Sequence, residues 1–333
     1  MRINQIKNSI KIILTLFGFK IMANNLIIAT GDTIEMSGTH NYDIVSITNG
    51  SILSVESQNG KLKLICDSLF LGQSSKIIAD GISSDSINSG EDFQSVAGGG
   101  AGGGYAGVGG NGGGLINSLG GEYYGTCFNF LKGSRGGSGQ SVYNGAQPGG
   151  KGGGAIWIES RASTLMGTIS AKGSNGIQYD SFGSWPSGPD WGGSGGGSGG
   201  FIYLESKIIN IDENCIITVK GGNGGTPLQG TDSDTTNPGG GGGGSGGRIT
   251  ILTDSNINQE NFNINGGSGG TNSDPDVYPG QDGANGILNY IKTWVTSETH
   301  PDSTLFYLNN VPEFNLVNLD DYIGYFFELN NIE

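Results

Sequence analysis

The sequence predicts an all-β fold: a right-handed parallel β-helix (solenoid) carrying inserted glycine-rich loops of the polyglycine II type. Two observations predict the solenoid. The first is a repeat, seen in Gly149–Gly173, Gly192–Gly221 and Gly239–Gly266, each a glycine run, a short strand, a polar turn, a second strand and a closing glycine. The first strands begin at Ala155, Phe201 and Arg248, 46 and 47 residues apart. Such an interval marks stacked units that share one core. The second is alternation within the repeat. Ile156/Ile158, Ile202/Leu204 and Ile249/Ile251 fall on one face of the first strand, and Ile169/Ala171, Ile217/Val219 and Phe262/Ile264 on one face of the second. A period of two with one apolar face is a half-buried strand.

The glycine runs have a pattern of their own, which predicts the loops. In Gly98–Gly114, Tyr105, Val108 and Asn111 recur every third residue, while Gly104, Gly107, Gly110 and Gly113 keep one third of the sites bare. A period of three is that of the extended polyproline II helix. Edges without side chains let such helices pack backbone against backbone. A flexible linker is the alternative for a segment of this composition.

In chain order, residues 1–23 read as an export leader: a basic start, an apolar run Ile12–Phe19, and Ile21-Met22-Ala23 at the cleavage position. The run is too short to span a bilayer. Met22 is an alternative start. Residues 24–81 are glycine-poor N-terminal rungs or a cap, with strands at Asn25–Thr30, Thr33–Ser37, Asp43–Thr48 and Ser51–Val55. Residues 82–148 form a glycine-rich insert, and 149–291 the clear repeats, closed by a strand at Ile287–Ile291. The inserts at 177–191 and 226–238 are expected to protrude at one corner. Residues 292–333 lose the glycines and form a separate tail.

Composition fits a narrow core. The chain of 333 residues holds 66 glycines, and hydrophobic residues make up only 34%. Net charge is −14, and Arg2, Lys7, Lys11 and Lys20 sit in the leader, so the remainder is more acidic still. Such a surface repels phosphate backbones and anionic headgroups, which argues against nucleic acid and membrane headgroups as partners. Cys66, Cys127 and Cys215 make an odd count with no CxxC, which leaves zinc and dithiol chemistry unsupported.

The blocks GGGAIWIE, GGFIYLE and GGRITI, followed by ISAKG, ITVKG and FNING, resemble the glycine-rich parallel β-helix regions of secreted and cell-surface proteins of microbes. The resemblance covers roughly residues 25–291 and implies an adhesin-like exterior role with no catalytic residues. In composition the glycine runs are similar to polyglycine II bundles of phage tail adhesins. The tail resembles the opening strands of an Ig-like or fibronectin-type module, which needs about 100 residues. This implies either a chain that belongs to a longer multidomain protein or a tail that packs as an apolar cap.

Chemistry is sparse. Gly145–Lys151 approximates a phosphate loop, but Gly152 replaces the Ser/Thr that would hold magnesium. His40 and His300 have no triad partners in view. The ligand-binding candidates are Trp157, Trp185, Trp191 and Tyr203, aromatics able to stack on sugars or on protein. Asp274, Asp276 and Asp282 are the candidates for a weak calcium loop of oxygen ligands, the one cofactor considered. Asn49-Gly50-Ser51 is a glycosylation sequon, with Asn49 as acceptor. The expected function is a non-enzymatic structural or adhesive element at the cell surface, binding glycan or protein. A phage-type receptor-binding adhesin and a polysaccharide-acting β-helix enzyme are the alternatives.

Overall fold

A computed structural model describes residues 24–141, 145–177, 190–228, 237–271, 277–295 and 304–308. Residues 1–23, on which the expected leader falls, the insert residues 178–189 and 229–236, and the tail beyond 308 lie outside the described residues.

The strands run β1 (Asn25–Ile28), β2 (Thr33–Met36), β3 (Gly38–Ile47), β4 (Ile52–Val55), β5 (Lys61–Leu71), β6 (Lys76–Ile78), β7 (Gly139–Ser141), β8 (Gly145–Gln147), β9 (Ala155–Leu165), β10 (Thr168–Ser170), β11 (Phe201–Ile211), β12 (Ile216–Thr218), β13 (Arg248–Thr253), β14 (Phe262–Asn263), β15 (Ile287–Val295) and β16 (Thr304–Leu308). From β1 to β6 and again from β9 to β15, the chain alternates between two sheets. One sheet has the order β1-β3-β5-β9-β11-β13-β15-β16 and the other β14-β12-β10-β6-β4-β2. Neighbours are parallel throughout, except that β16 closes the first sheet antiparallel to β15. The repeat is in strict register. Leu62, Ile156, Ile202 and Ile249 form one column of the first sheet, and Leu53, Ile77, Ile169 and Ile217 one column of the second. Both columns are buried in a single core between the sheets. Each such side chain contributes about 1.5–3 kcal/mol on burial.

The expected closed β-helix is not what forms. Two open parallel sheets lie face to face, and no third sheet completes a solenoid among the described residues. The reason lies in the glycine runs. A strand in a sheet bonds to two neighbours, whereas the run 239–247 bonds in three directions in turn. Gly239, Gly242 and Ser245 donate to Ala97, Gly100 and Gly103; Gly240, Gly243 and Gly246 to Tyr278, Gln281 and Ala284; and Gly241, Gly244 and Gly247 to Gly225, Gly222 and Val219. Its carbonyls accept in the same rhythm from Gly193/Gly196/Gly199, Gly113/Gly110 and Gly270/Gly267. The run is therefore the axis of a bundle with six surrounding segments, three parallel to it and three antiparallel. A Cβ at Gly243 would overlap the carbonyl oxygen of Gly267, and one at Gly242 that of Gly110. Here the run is bare at every position but Ser245, rather than at one position in three.

The long strands bring a second difference. The polar turn expected after Glu159 and Glu205 is strand, because β9 and β11 continue to Leu165 and Ile211. The ladder skips one residue in each rung, Asp67, Arg161 and Lys207, and the inward face shifts by one beyond it. Ser206 and then Ile209 point inward, leaving Lys207 and Ile208 both outside.

Burying a charge without a partner costs several kcal/mol. Ile202→Asp, in the core column, is expected to lower unfolding free energy by about 3–5 kcal/mol. Ile208→Asp, on the exposed side of the same strand, is expected to change it by less than about 1 kcal/mol. Denaturant titration of both variants checks this, and equal losses would show the faces are assigned wrongly.

Candidate functional site

Two of the aromatic candidates come together, but not on an open face. Trp157 and Tyr203 are register neighbours on β9 and β11, and their rings stack at 3.8 Å. The Lys63 ammonium lies 4.8 Å from the Trp157 ring centroid and is ion-paired to Glu159 at 2.7 Å. Phe130 meets Trp157 edge-on, and Phe128 meets Tyr203 in the same way. Tyr203 is only 3% exposed. The insert thus lays its own aromatics over this sheet face, and the rings expected to stack on a ligand stack on the protein instead. The sequence could not show this, because Phe128 and Phe130 lie in a segment with no strand pattern.

Arg248 holds the cover down. Its side chain is 3% exposed among the aromatics, and Nη2 donates to the Tyr123 hydroxyl at 3.0 Å and the Gly125 carbonyl at 3.3 Å. Thr250 Oγ1 donates to the Cys127 carbonyl at 2.9 Å. Tyr105, fully buried beneath, stacks at a tilt on Tyr124, whose amide donates to the Tyr105 carbonyl. Burial pushes the Tyr105 hydroxyl well above the usual phenol range and that of Tyr124 up to about 12. Next in register to Trp157 and Tyr203, Glu159 and Glu205 sit side by side. Glu159 Oε1 accepts from Lys63 and from the Trp157 indole at 2.7 Å, and Glu205 Oε2 accepts from the Tyr203 hydroxyl at 2.8 Å.

The other candidates are dispersed. Trp191 forms an antiparallel bridge with Leu228, far along the chain from the sheet aromatics. Trp185, Asp274 and Asp276 lie outside the described residues. Asp282 accepts the Gly269 amide through Oδ1 at 2.7 Å, which makes it a backbone cap of the glycine bundle. No group of three His, Cys, Asp or Glu able to hold a metal occurs among the described residues. Asn49 is exposed in a turn with φ of 55°, and its Nδ2 donates to the Ala29 carbonyl at 2.6 Å. Burial pushes the Cys66 thiol up to about 11 and Cys215 up to about 12, with Asp67 and Asp212 adding to the effect. Both are inert thiols at neutral pH.

What the bundle does assemble is a set of loops at one end. At the other end the glycine runs feed the strands: Gly154 bonds to Ala79, Gly200 to Ala171, and Gly247 to Val219. Away from the sheets the runs are tied at one level. Gly239 donates to Ala97, Gln140 to Gly98, Gly192 to Gln140, Gly113 to Gly240, and Gly240 to Tyr278. The described residues of the connections 93–98, 113–119, 139–147, 177–192, 225–239 and 270–280 adjoin that level. In sequence these connections are rich in Tyr, Trp, Ser, Asn, Gly and Asp, and none contains Lys or Arg. Rigid support carrying loops of such residues is the arrangement of binding surfaces generally. The sequence marked two of these connections as protruding; the period-three pairing that gathers the rest needs the bundle to be seen.

Comparison with family models, with curated proteins and with solved structures finds no match to this chain. No described helix is long and apolar enough to cross a membrane.

Arg248→Met keeps most of the buried stem and removes both hydrogen bonds to the cover. It is expected to speed cleavage by chymotrypsin in 123–130 by about tenfold, corresponding to about 1.4 kcal/mol less closed cover. Unchanged cleavage would mean that the aromatic contacts alone close the face.

Proposed function

We propose that this chain is a non-enzymatic binding module of the cell exterior, in which the sheets and the glycine bundle rigidly present the loop end to a glycan or protein surface. One observation carries the reading: hydrogen bonds at a common level bring the described ends of the connections of separate repeats to one end of the bundle. A loop set held by a scaffold binds with less ordering cost than a free loop does. The acidic balance of the chain and the absence of basic residues from these connections favour neutral or cationic targets over nucleic acid and anionic lipid. An exterior location and membership of a longer multidomain protein are part of this proposal, as is the adhesin-like character. A phage-type receptor-binding adhesin would be one form of the same activity.

The polysaccharide-acting alternative rests on one observation, the pairing of Glu159 beside Glu205 on adjacent strands, about 4.8 Å apart in backbone. Two carboxylates at short range suit glycoside chemistry. Against it stand the ion pair of Glu159 with Lys63 and the cover over the neighbouring rings.

Replacing residues 114–119 and 227–237 by Gly/Ser segments of equal length separates the readings. Retention on intact cells and on a glycan array is expected to fall to background while the thermal midpoint stays within a few degrees. Retention unaltered by both replacements would overturn the loop-end reading. Polysaccharide cleavage lost in Glu205→Gln would establish the alternative.

A further inference from the structure

One part of the loop end is apolar and fully described. Leu115 is 69% exposed, and Ile116, Leu119 and Val96 are each more than half exposed. These side chains are held in place. The Gly112 amide donates to the Ser118 carbonyl, Ser118 Oγ donates to the Gly99 carbonyl at 2.7 Å, and the Gly98 amide donates to Ser95. Leu119 and Glu91 exchange bonds: the Leu119 amide donates to Glu91 Oε2 at 2.9 Å, and the Glu91 amide to the Leu119 carbonyl at 3.0 Å. The segments 95–98 and 114–118 that carry Val96, Leu115 and Ile116 meet at Gly114, and exposed aliphatic side chains on neighbouring segments mark interaction sites.

Charge selects what covers it. Glu91 and Asp92 are exposed at the margin of the patch. Asp80 and Asp85 are ion-paired to Lys172 and Lys132, so Glu91, bonded to Leu119, and its neighbour Asp92 carry the charge beside the patch. A second copy of the chain would set this acidic margin against itself, and anionic lipid or nucleic acid would be repelled. We infer that the patch of Val96, Leu115, Ile116 and Leu119, with Glu91 and Asp92, docks a cationic, amphipathic protein segment. Its apolar side chains cover Leu115 and Ile116, and its Lys or Arg groups meet the two carboxylates. The inference rests on the loop-end reading and narrows it to a protein partner with a basic, apolar face.

The test titrates the full chain with an amphipathic peptide of Leu and Lys, and with the same pattern built of Leu and Glu, by isothermal calorimetry. Saturable one-to-one binding of the Leu/Lys peptide is expected, weakening as salt rises from about 50 to about 500 mM. Leu115→Ser with Ile116→Ser, at exposed positions, is expected to weaken it about tenfold without moving the thermal midpoint. Glu91→Gln with Asp92→Asn, which keeps the acceptor oxygens, is expected to weaken it several-fold and flatten the salt dependence. Equal binding of both peptides, or undiminished binding by the Ser variant, overturns the inference. So does dimerisation or adsorption to phosphatidylcholine vesicles that is lost in the Ser variant, because the patch would then serve a second copy or a lipid. Failure of the peptide alongside loop-dependent retention on cells sinks this inference alone, whereas absence of any loop-dependent retention sinks the reading beneath it.

Discussion

The amides of a side-chain-free run must all find acceptors when water is excluded, and this requirement governs the molecule. A buried backbone N–H without a partner costs about as much as a lost hydrogen bond. From Gly239 to Gly247 the chain meets the demand by turning each successive N–H to a different neighbour, with a return to the same neighbour every third residue. Three directions of bonding need segments on all sides, so one run can be ordered only if the others are. The bundle is cooperative for that reason.

The sheets and the bundle solve complementary problems. Ordering glycine costs about 0.5–1 kcal/mol per residue more than ordering alanine, because the free chain is so mobile. The stacked columns of Leu62, Ile156, Ile202 and Ile249 set the spacing at which successive runs leave the sheets, so pairing starts from anchored ends. In return the bundle takes the place that a third sheet would fill in a closed solenoid. Small side chains such as Ala101, Ser198 and Ser245 fit within it, but its glycines are in close contact with backbone: at Gly199 a methyl group would overlap the Val219 carbonyl oxygen, and at Gly246 that of Ile264. The far end of the bundle thereby becomes a stiff platform for loops.

Much of this was legible in the sequence, and the limits were physical. The aliphatic alternation at Ile156/Ile158 and Ile217/Val219 named core residues directly, since a period of two survives any sheet arrangement. Closure into a β-helix did not follow from it, because alternation reports one buried face and is silent about how many sheets share it. The strand beyond Glu159 was hidden by the skipped Arg161, which breaks the period of two. Trp157 and Tyr203 were recognisable as outward-facing. What lies over them was not, because Phe128, Phe130 and Tyr123 belong to a segment placed only by long-range contacts such as Arg248 to Tyr123. The inserts 177–191 and 226–238 that the sequence marked lie mostly outside the described residues, and the common level of the described segments depends on hydrogen bonds between runs distant in sequence.

The central claim is that the glycine bundle is packed structure on which the fold depends, and Gly243→Ala tests it most directly. Amide exchange and thermal unfolding of this variant would be compared with those of Gly72→Ala, whose added methyl meets its neighbours at 3.4 Å, close to ordinary contact distance. The account predicts slow exchange of the 240–246 amides in the parent. It predicts that Gly243→Ala loses about 1–3 kcal/mol with faster exchange along the whole run, while Gly72→Ala changes stability by less than about 1 kcal/mol. Rapid exchange across 240–246 in the parent, with Gly243→Ala neutral or slightly stabilising as in a flexible segment, would contradict it.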